Sequence, residues 1–344
     1  MADTVMVIGG SGFIGSHLLG RLVQRGHRAI SYDIRPCSGE LAWMTEPARA
    51  EIVYEQGGVE SWPRLCAAIK AHQVKRIVHA AAPVNLAYLS REPKVAFDVI
   101  AQGTVNVLEA VRLLDVERLV FVSSIGVLPT IQYEPIDANH PTVLAAEGPG
   151  AAAYGAGKLA GEAFCWAYRH AFDLDFVTIR PSAVYGFGSG NPIYIKPMVE
   201  ESLRGRAVRF ASGREFPRDY THVEDVVGVI LAALDVPEQR LQHRVFYAAT
   251  GQPLVTAGEL AGMIKEMIPS ADIEIQPGLS YADRLEIRYR GLTDVGPVKR
   301  QLGYELKYPK LRDGLAEYVG AYRDYMLAHG ESPAEVVLPG SAAC

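Results

Sequence analysis

Thr4-Val5-Met6-Val7-Ile8-Gly9-Gly10-Ser11-Gly12-Phe13-Ile14-Gly15 opens the chain with a short apolar run and then glycines three residues apart. A short apolar run that ends in turn residues reads as a buried parallel strand, and the amphipathic pattern from Phe13 to Gln24 reads as a helix. Between them Gly9 allows a tight turn, Gly12 lets backbone approach a pyrophosphate, and Gly15 lets helix pack closely on strand. The N–H groups and dipole of the helix start favour phosphate there, so Gly9, Gly12, Phe13, Ile14 and Gly15 are the candidate dinucleotide contacts. Asp33 closes the next apolar run, 18 residues past Gly15. An acid there accepts from adenosine ribose hydroxyls and repels a 2′-phosphate, which favours NAD over NADP; Arg35 nearby tempers that preference. The P-loop pattern GxxxxGK followed by Ser or Thr is absent, which excludes that nucleotide site.

Outward from this unit, apolar runs at Ala29–Tyr32, Arg76–His79, Leu119–Val122 and Phe176–Ile179 alternate with helical patterns. Phe97, Ile100, Thr104, Val107, Val111 and Leu114 form one stripe at helical spacing. Strands alternating with helices imply right-handed βαβ units and an α/β fold, a Rossmann-like doubly wound parallel sheet. After Arg180 the chain turns rich in Gly and Pro, with helices expected near Tyr194–Leu203, Gly258–Met267 and Leu311–Leu327. Val223–Leu234 and Val245–Ala248 again read as helix and strand. The expected organisation is an NAD-binding domain over residues 1–180 with a returning segment at about 221–250. A smaller, interleaved substrate-binding lobe takes 181–220 and 251–330, followed by a flexible tail at 331–344.

The 344 residues are 49% hydrophobic and 21% charged, and 34 Lys and Arg against 39 Asp and Glu leave a net charge of -5. That balance lacks the basic footprint of a nucleic-acid binder. No apolar run approaches the roughly 18 residues of a membrane span, and the N-terminal apolar run is too short for a secretory core; a cytoplasmic protein is expected. Cys37, Cys66, Cys165 and Cys344 stand far apart with no CxxC pair, which fits reduced thiols and no metal site.

The strand at Leu119–Val122 ends in Ser123-Ser124, and Tyr154-Gly155-Ala156-Gly157-Lys158 follows in a helical segment. Residues four apart share a helix face. An adjacent ammonium stabilises a phenolate, each unit of pKa being worth about 1.4 kcal/mol. Lys158 is therefore expected to lower the Tyr154 pKa, leaving Tyr154 as general acid and base at a substrate hydroxyl and Ser124 to orient the reacting oxygen. Asn85, just past an Ala-rich strand end, is placed to reach substrate or to serve turn chemistry. Glu224 and Asp225 are expected to cap the helix that follows them.

With GGSGFIGS, Asp33, VHAAA (Val78–Ala82), GTVNVLEA, FVSS, YGAGKLAGE, IRPSAVYG and RDYTHVEDV in hand, residues 4–325 resemble the extended short-chain dehydrogenase/reductase family of the NAD-dependent epimerase/dehydratase type. The resemblance implies Ser124, Tyr154 and Lys158 as the catalytic set, Lys158 also holding the nicotinamide ribose. It implies Ala80, Ala81, Ala82, Pro181 and Val184 along the cofactor, Arg218 toward substrate, and a homodimer through helices near residues 95–114 and 151–171. Several positions depart from the family pattern. Ile100 replaces an Asn, Gln56-Gly57-Gly58-Val59 lacks the acid that meets adenine, no Asp-Glu pair follows Ser124 as dehydration would need, and Ala183 replaces an Asn found against a diphosphate.

The leading expectation is hydride transfer at a secondary alcohol carbon in a sugar-nucleotide epimerase. The alternatives are an NAD(P)-dependent dehydrogenase/reductase of a smaller sugar, polyol or hydroxy acid, and a catalytically silent NAD-binding sensor on the same fold.

Overall fold

The computed structural model describes residues 3–144, 148–191 and 193–338. Strands β1 (Thr4–Ile8), β2 (Arg28–Asp33), β3 (Ile52–Gln56), β4 (Arg76–His79), β5 (Arg118–Val122) and β6 (Phe176–Pro181) join a seventh, Val245–Ala248, in one sheet. Its order is seventh strand, β6, β5, β4, β1, β2, β3, and every pairing is parallel. Connections diverge between β1 and β4, which opens a crevice beyond their carboxyl ends, the place where such sheets bind ligands. Only β3 was absent from the apolar runs. It is an edge strand, and of its five residues Ile52 alone is buried, so polar side chains dilute its signal.

Helix α1 (Phe13–Gln24) lays Leu18, Leu19 and Leu22 on one face of the sheet beside Val226, Val229 and Ile230 of helix Val223–Asp235. The opposite face is covered by Leu65 and Ile69 of helix Trp62–His72, Val107 and Val111 of helix Gly103–Leu113, and Cys165 of helix Ala152–Phe172. Burying each such Leu, Ile or Val contributes roughly 1.5–3 kcal/mol. A separate core forms in the lobe, where Met198, Leu260, Ile264, Leu315, Tyr318 and Tyr322 meet.

The expected stripe starts at Ile100, three residues after Phe97. Phe97–Gln102 is a π-helical turn inserted before Gly103–Leu113. The wider turn rotates the residues ahead of it off the helix face, so Phe97 is 59% exposed while Ile100, Thr104, Val107 and Val111 stay buried. The tail also departs from expectation over residues 331–338. Ala334 N–H donates to Leu203 O and Val337 N–H to Met267 O, both at 2.8 Å, and Val336 and Leu338 pack on the lobe core. Residues 339–344, with Cys344, lie outside the described residues. Cys37, Cys66 and Cys165 are unpaired thiols. Among the described residues no group of three or more His, Cys, Asp or Glu is arranged to hold a metal, and no helix is long and apolar enough to cross a membrane.

Candidate active site

Gly9 adopts φ +86°, and a Cβ there would stand 2.7 Å from Ala81 N. The turn after β1 and the Ala-rich segment after β4 are therefore pressed together. Ala80 N–H also donates to Ile8 O. A Cβ on Gly15 would meet Gly9 O at 2.2 Å, so helix α1 can close onto the turn only through glycine. The helix begins at Gly12 with no side-chain cap, which leaves its first N–H groups to an anion. Asp33 reaches back to this loop, its Oδ2 accepting from Ser11 N–H at 3.1 Å and its Oδ1 from Arg35 N–H at 3.3 Å. The Ser11 hydroxyl is buried and unpartnered. An uncapped helix start, a turn closed to a Cβ at Gly9, Gly10 and Gly15 and an orphaned hydroxyl fit a dinucleotide. Pro181 and the strand Ala183–Tyr185, with Val184 partly buried, continue the same edge past β6. After β3, a Cβ on Gly58 would meet the Glu60 carboxylate.

Ser124 follows β5 and caps a short 3-10 turn, its Oγ accepting from Gly126 N–H at 3.0 Å. The same hydroxyl lies beside the Tyr154 phenol and favours its ionised form. Tyr154 and Lys158 both ride on helix Ala152–Phe172. Their electrostatics differ from the expectation. Burial pushes the Tyr154 phenol up to about 12, and the group that opposes this is Ser124, not Lys158. Lys158 turns inward instead: Nζ donates to Val122 O at 2.6 Å and lies 5.0 Å from the Phe121 ring centroid and 5.9 Å from that of Tyr154. Burial brings its ammonium down to about 7, against the pull of Glu162. The two side chains share a helix face, yet the ammonium prefers a buried carbonyl to the phenol.

Sequence reasoning missed what lies beneath them. Glu162, one turn beyond Lys158, accepts two hydrogen bonds from Arg180 at 2.9 and 2.6 Å and one from Ser123 Oγ at 2.5 Å, and Arg180 donates on to Tyr247 Oη. The i, i+4 spacing from Lys158 was the available signal; the Arg180 partner, 18 residues away on β6, had none. Ile100, in the place of the family's Asn, is fully buried and packs near Tyr154, and a Cβ on Gly157 would come within 2.9 Å of it.

Arg218 is brought near this region but not left open. It is 6% exposed, stands beside the Phe216 and Tyr194 rings, and forks onto Glu286 through Nε at 3.1 Å and Nη2 at 2.9 Å. Arg290 pairs with the same carboxylate. Asn85 takes the turn role: its Oδ1 caps helix Leu86–Arg91 by accepting from Tyr88 N–H at 2.9 Å. The acids after His222 do not cap their helix. His222 does so, while Glu224 binds His17 and Arg21, and Asp225 accepts from Tyr304, Lys307 and Tyr308. His79 is sealed against Thr104 Oγ1 at 3.2 Å, and burial, then Lys158, push its imidazole down to about 3.

The sequence model of the NAD dependent epimerase/dehydratase family matches residues 5–249. A putative UDP-glucose 4-epimerase of Methanocaldococcus jannaschii is 28% identical over 77% of this chain and 82% of its own length. The UDP-glucose 4-epimerase of Mycolicibacterium smegmatis is 31% identical over 66% of this chain and 72% of its own. Among solved structures, the UDP-glucose 4-epimerase of Thermotoga maritima with UDP-glucose superposes with a TM-score of 0.79 at 24% identity, covering 94% of this chain and 99% of that one. That likeness establishes the fold.

Proposed function

The chain belongs to the NAD dependent epimerase/dehydratase family, and on that premise we propose that it epimerises a sugar nucleotide at a secondary alcohol carbon, with Ser124, Tyr154 and Lys158 as catalytic residues. NAD, when bound, supplies the hydride acceptor and donor for that carbon. Gly9, Gly12, Phe13, Ile14 and Gly15 hold its pyrophosphate, Asp33 its adenosine ribose, and Ala80, Ala81, Ala82, Pro181 and Val184 its remaining edge, with Lys158 released from Val122 to the nicotinamide ribose. The observation that carries the reading is the meeting of Ser124, at the end of β5, with Tyr154 and Lys158 on helix Ala152–Phe172. Tyr154, as phenolate, takes the substrate hydroxyl proton as hydride leaves the carbon and returns it when hydride comes back, and Ser124 favours the phenolate. The relatives named above as UDP-glucose 4-epimerases support the nucleotide-sugar class.

Two finer readings accompany it. Phe97, Leu113, Phe164 and Phe172 are 59%, 46%, 43% and 52% exposed on the helices around residues 95–114 and 151–172, and covering them in a homodimer supplies the burial they lack; light scattering tests this. The unpaired Cys37, Cys66 and Cys165 suit the reducing cytoplasm.

The direct test incubates the protein with NAD and UDP-glucose or UDP-glucuronate and follows both the 4-epimer and NADH absorbance. Epimer without net NADH supports the proposal, whereas stoichiometric NADH identifies a dehydrogenase. Tyr154→Phe should lower turnover by about 10²–10⁴-fold with NAD affinity kept within a few fold. Full activity in that variant overturns the assignment of Tyr154.

A further inference from the structure

Arg218 sits on the two-residue strand Pro217–Arg218 and presents one edge of its guanidinium to Glu286, Nε at 3.1 Å and Nη2 at 2.9 and 3.0 Å. That fork is the geometry by which arginine recognises carboxylate or phosphate. The Glu286 carboxylate therefore occupies the place an incoming anion would take. Arg290 adds its Nη2 to the same oxygen.

Two further observations indicate that this closure is temporary. Arg218 Nη1, Arg290 Nε and Arg290 Nη1 are buried and have no hydrogen-bond partner among the described residues. A buried unmet donor is costly, so two guanidinium groups served by one carboxylate remain under-satisfied. Asp219, the other acid near Arg290, is already committed to Thr250 and Thr221. The accessible member of the cluster is also the carboxylate: the Glu286 side chain is 19% exposed against 7% for Arg218 and 10% for Arg290. Glu286 ends the six-residue helix Tyr281–Glu286, whose Tyr281 and Leu285 are 71% and 38% exposed, so its outer side faces solvent. Of the three side chains, Glu286 is the one most open to solvent.

We propose that Glu286 is an internal counter-anion, displaced from Arg218 and Arg290 by the diphosphate of the substrate. The diphosphate rests on the sugar-nucleotide reading above; the displacement rests on the cluster itself. A diphosphate offers more acceptor oxygens than one carboxylate and meets the donors that Glu286 leaves unused. Glu286 then sets the affinity threshold for substrate by competing with it.

The test is calorimetric titration of the full chain with UDP, and with uridine as the probe lacking phosphate, for the wild type and Glu286→Gln. Removing the competing charge should tighten UDP binding by about tenfold or more, the scale of one charge-assisted hydrogen bond, and leave uridine binding unchanged. Should Glu286→Gln fail to fold, Glu286→Asp, one methylene too short to reach both guanidinium groups, carries the same expectation. UDP binding that is unchanged or weakened in a folded variant makes Glu286 a permanent partner and overturns the displacement alone. UDP binding to neither protein overturns the sugar-nucleotide reading, and displacement by a diphosphate with it.

Discussion

Lys158 Nζ donates to the Val122 carbonyl oxygen at 2.6 Å, so the last residue of β5 holds the ammonium beneath Tyr154. Burial lowers Lys158 from its ordinary 10.5 to about 7, opposed by Glu162. Between those two values the unfolded chain binds the proton that the native chain has lost. Native stability therefore rises with pH across that window, at up to about 1.4 kcal/mol per pH unit from this one group, and is flat below about pH 7, where both states are charged. Lys158→Met should remove that increment. Urea midpoints of wild type and variant, compared from neutral to alkaline pH, read it as a difference; parallel curves would show that Lys158 is charged in the native protein throughout.

Ser124 is the hydroxyl that opposes the effect of burial on Tyr154, which otherwise stands at about 12. A phenol must lose its proton to act as base, so the alcohol-oxidising half of the reaction should accelerate with rising pH. Ser124→Ala removes the hydroxyl that favours the phenolate and should shift that ascending limb to higher pH, with turnover near neutrality down by about 10²-fold. A pH–rate profile on both proteins checks this. An unmoved limb with reduced turnover would assign Ser124 to substrate orientation alone.

Glu162 and Arg180 are 6% and 7% exposed at the side chain and bonded through two contacts, with Ser123 and Tyr247 completing the set. Glu162→Gln leaves a buried guanidinium without its counter-charge and should cost about 3–5 kcal/mol, read as a lower urea midpoint at unchanged m-value. A loss below 1 kcal/mol would mean that water reaches Arg180 in the variant and takes over the role of Glu162.

How far the sequence carried this picture follows from the range over which each signal acts. The turn at Gly9–Gly15, helix α1 and six strands of the sheet are fixed by neighbours in sequence, and their apolar periodicity announced them. Asp33 was legible for the same reason, since it ends a strand at a set distance from the glycines. The fork between Arg218 and Glu286 joins residues 68 apart, and a charge alone names no partner. The inward turn of Lys158 depends on competition between a carbonyl and a phenol at one buried point, which spacing on a helix cannot decide. The π-turn at Phe97–Gln102 leaves the order of residues unchanged and shifts only their phase, so the stripe looked continuous.

Gly15→Ala tests the closest backbone approach in the cofactor cradle. Its Cβ would stand 2.2 Å from Gly9 O and 2.8 Å from Gly10 Cα, both backbone atoms with no rotamer to yield. The start of helix α1 must then lift from the turn after β1, spreading the uncapped N–H groups proposed to receive phosphate. NAD affinity should fall by at least tenfold while the far face of the helix, Leu18, Leu19 and Leu22, keeps its place in the core. Gly20→Ala on the same helix meets nothing within 4 Å and trades a glycine for a better helix former, worth up to about 1 kcal/mol. It should keep NAD affinity and raise the thermal midpoint. Equal NAD affinities for the two variants would dissociate the cradle from dinucleotide binding, because only a requirement for close approach at Gly15 separates them.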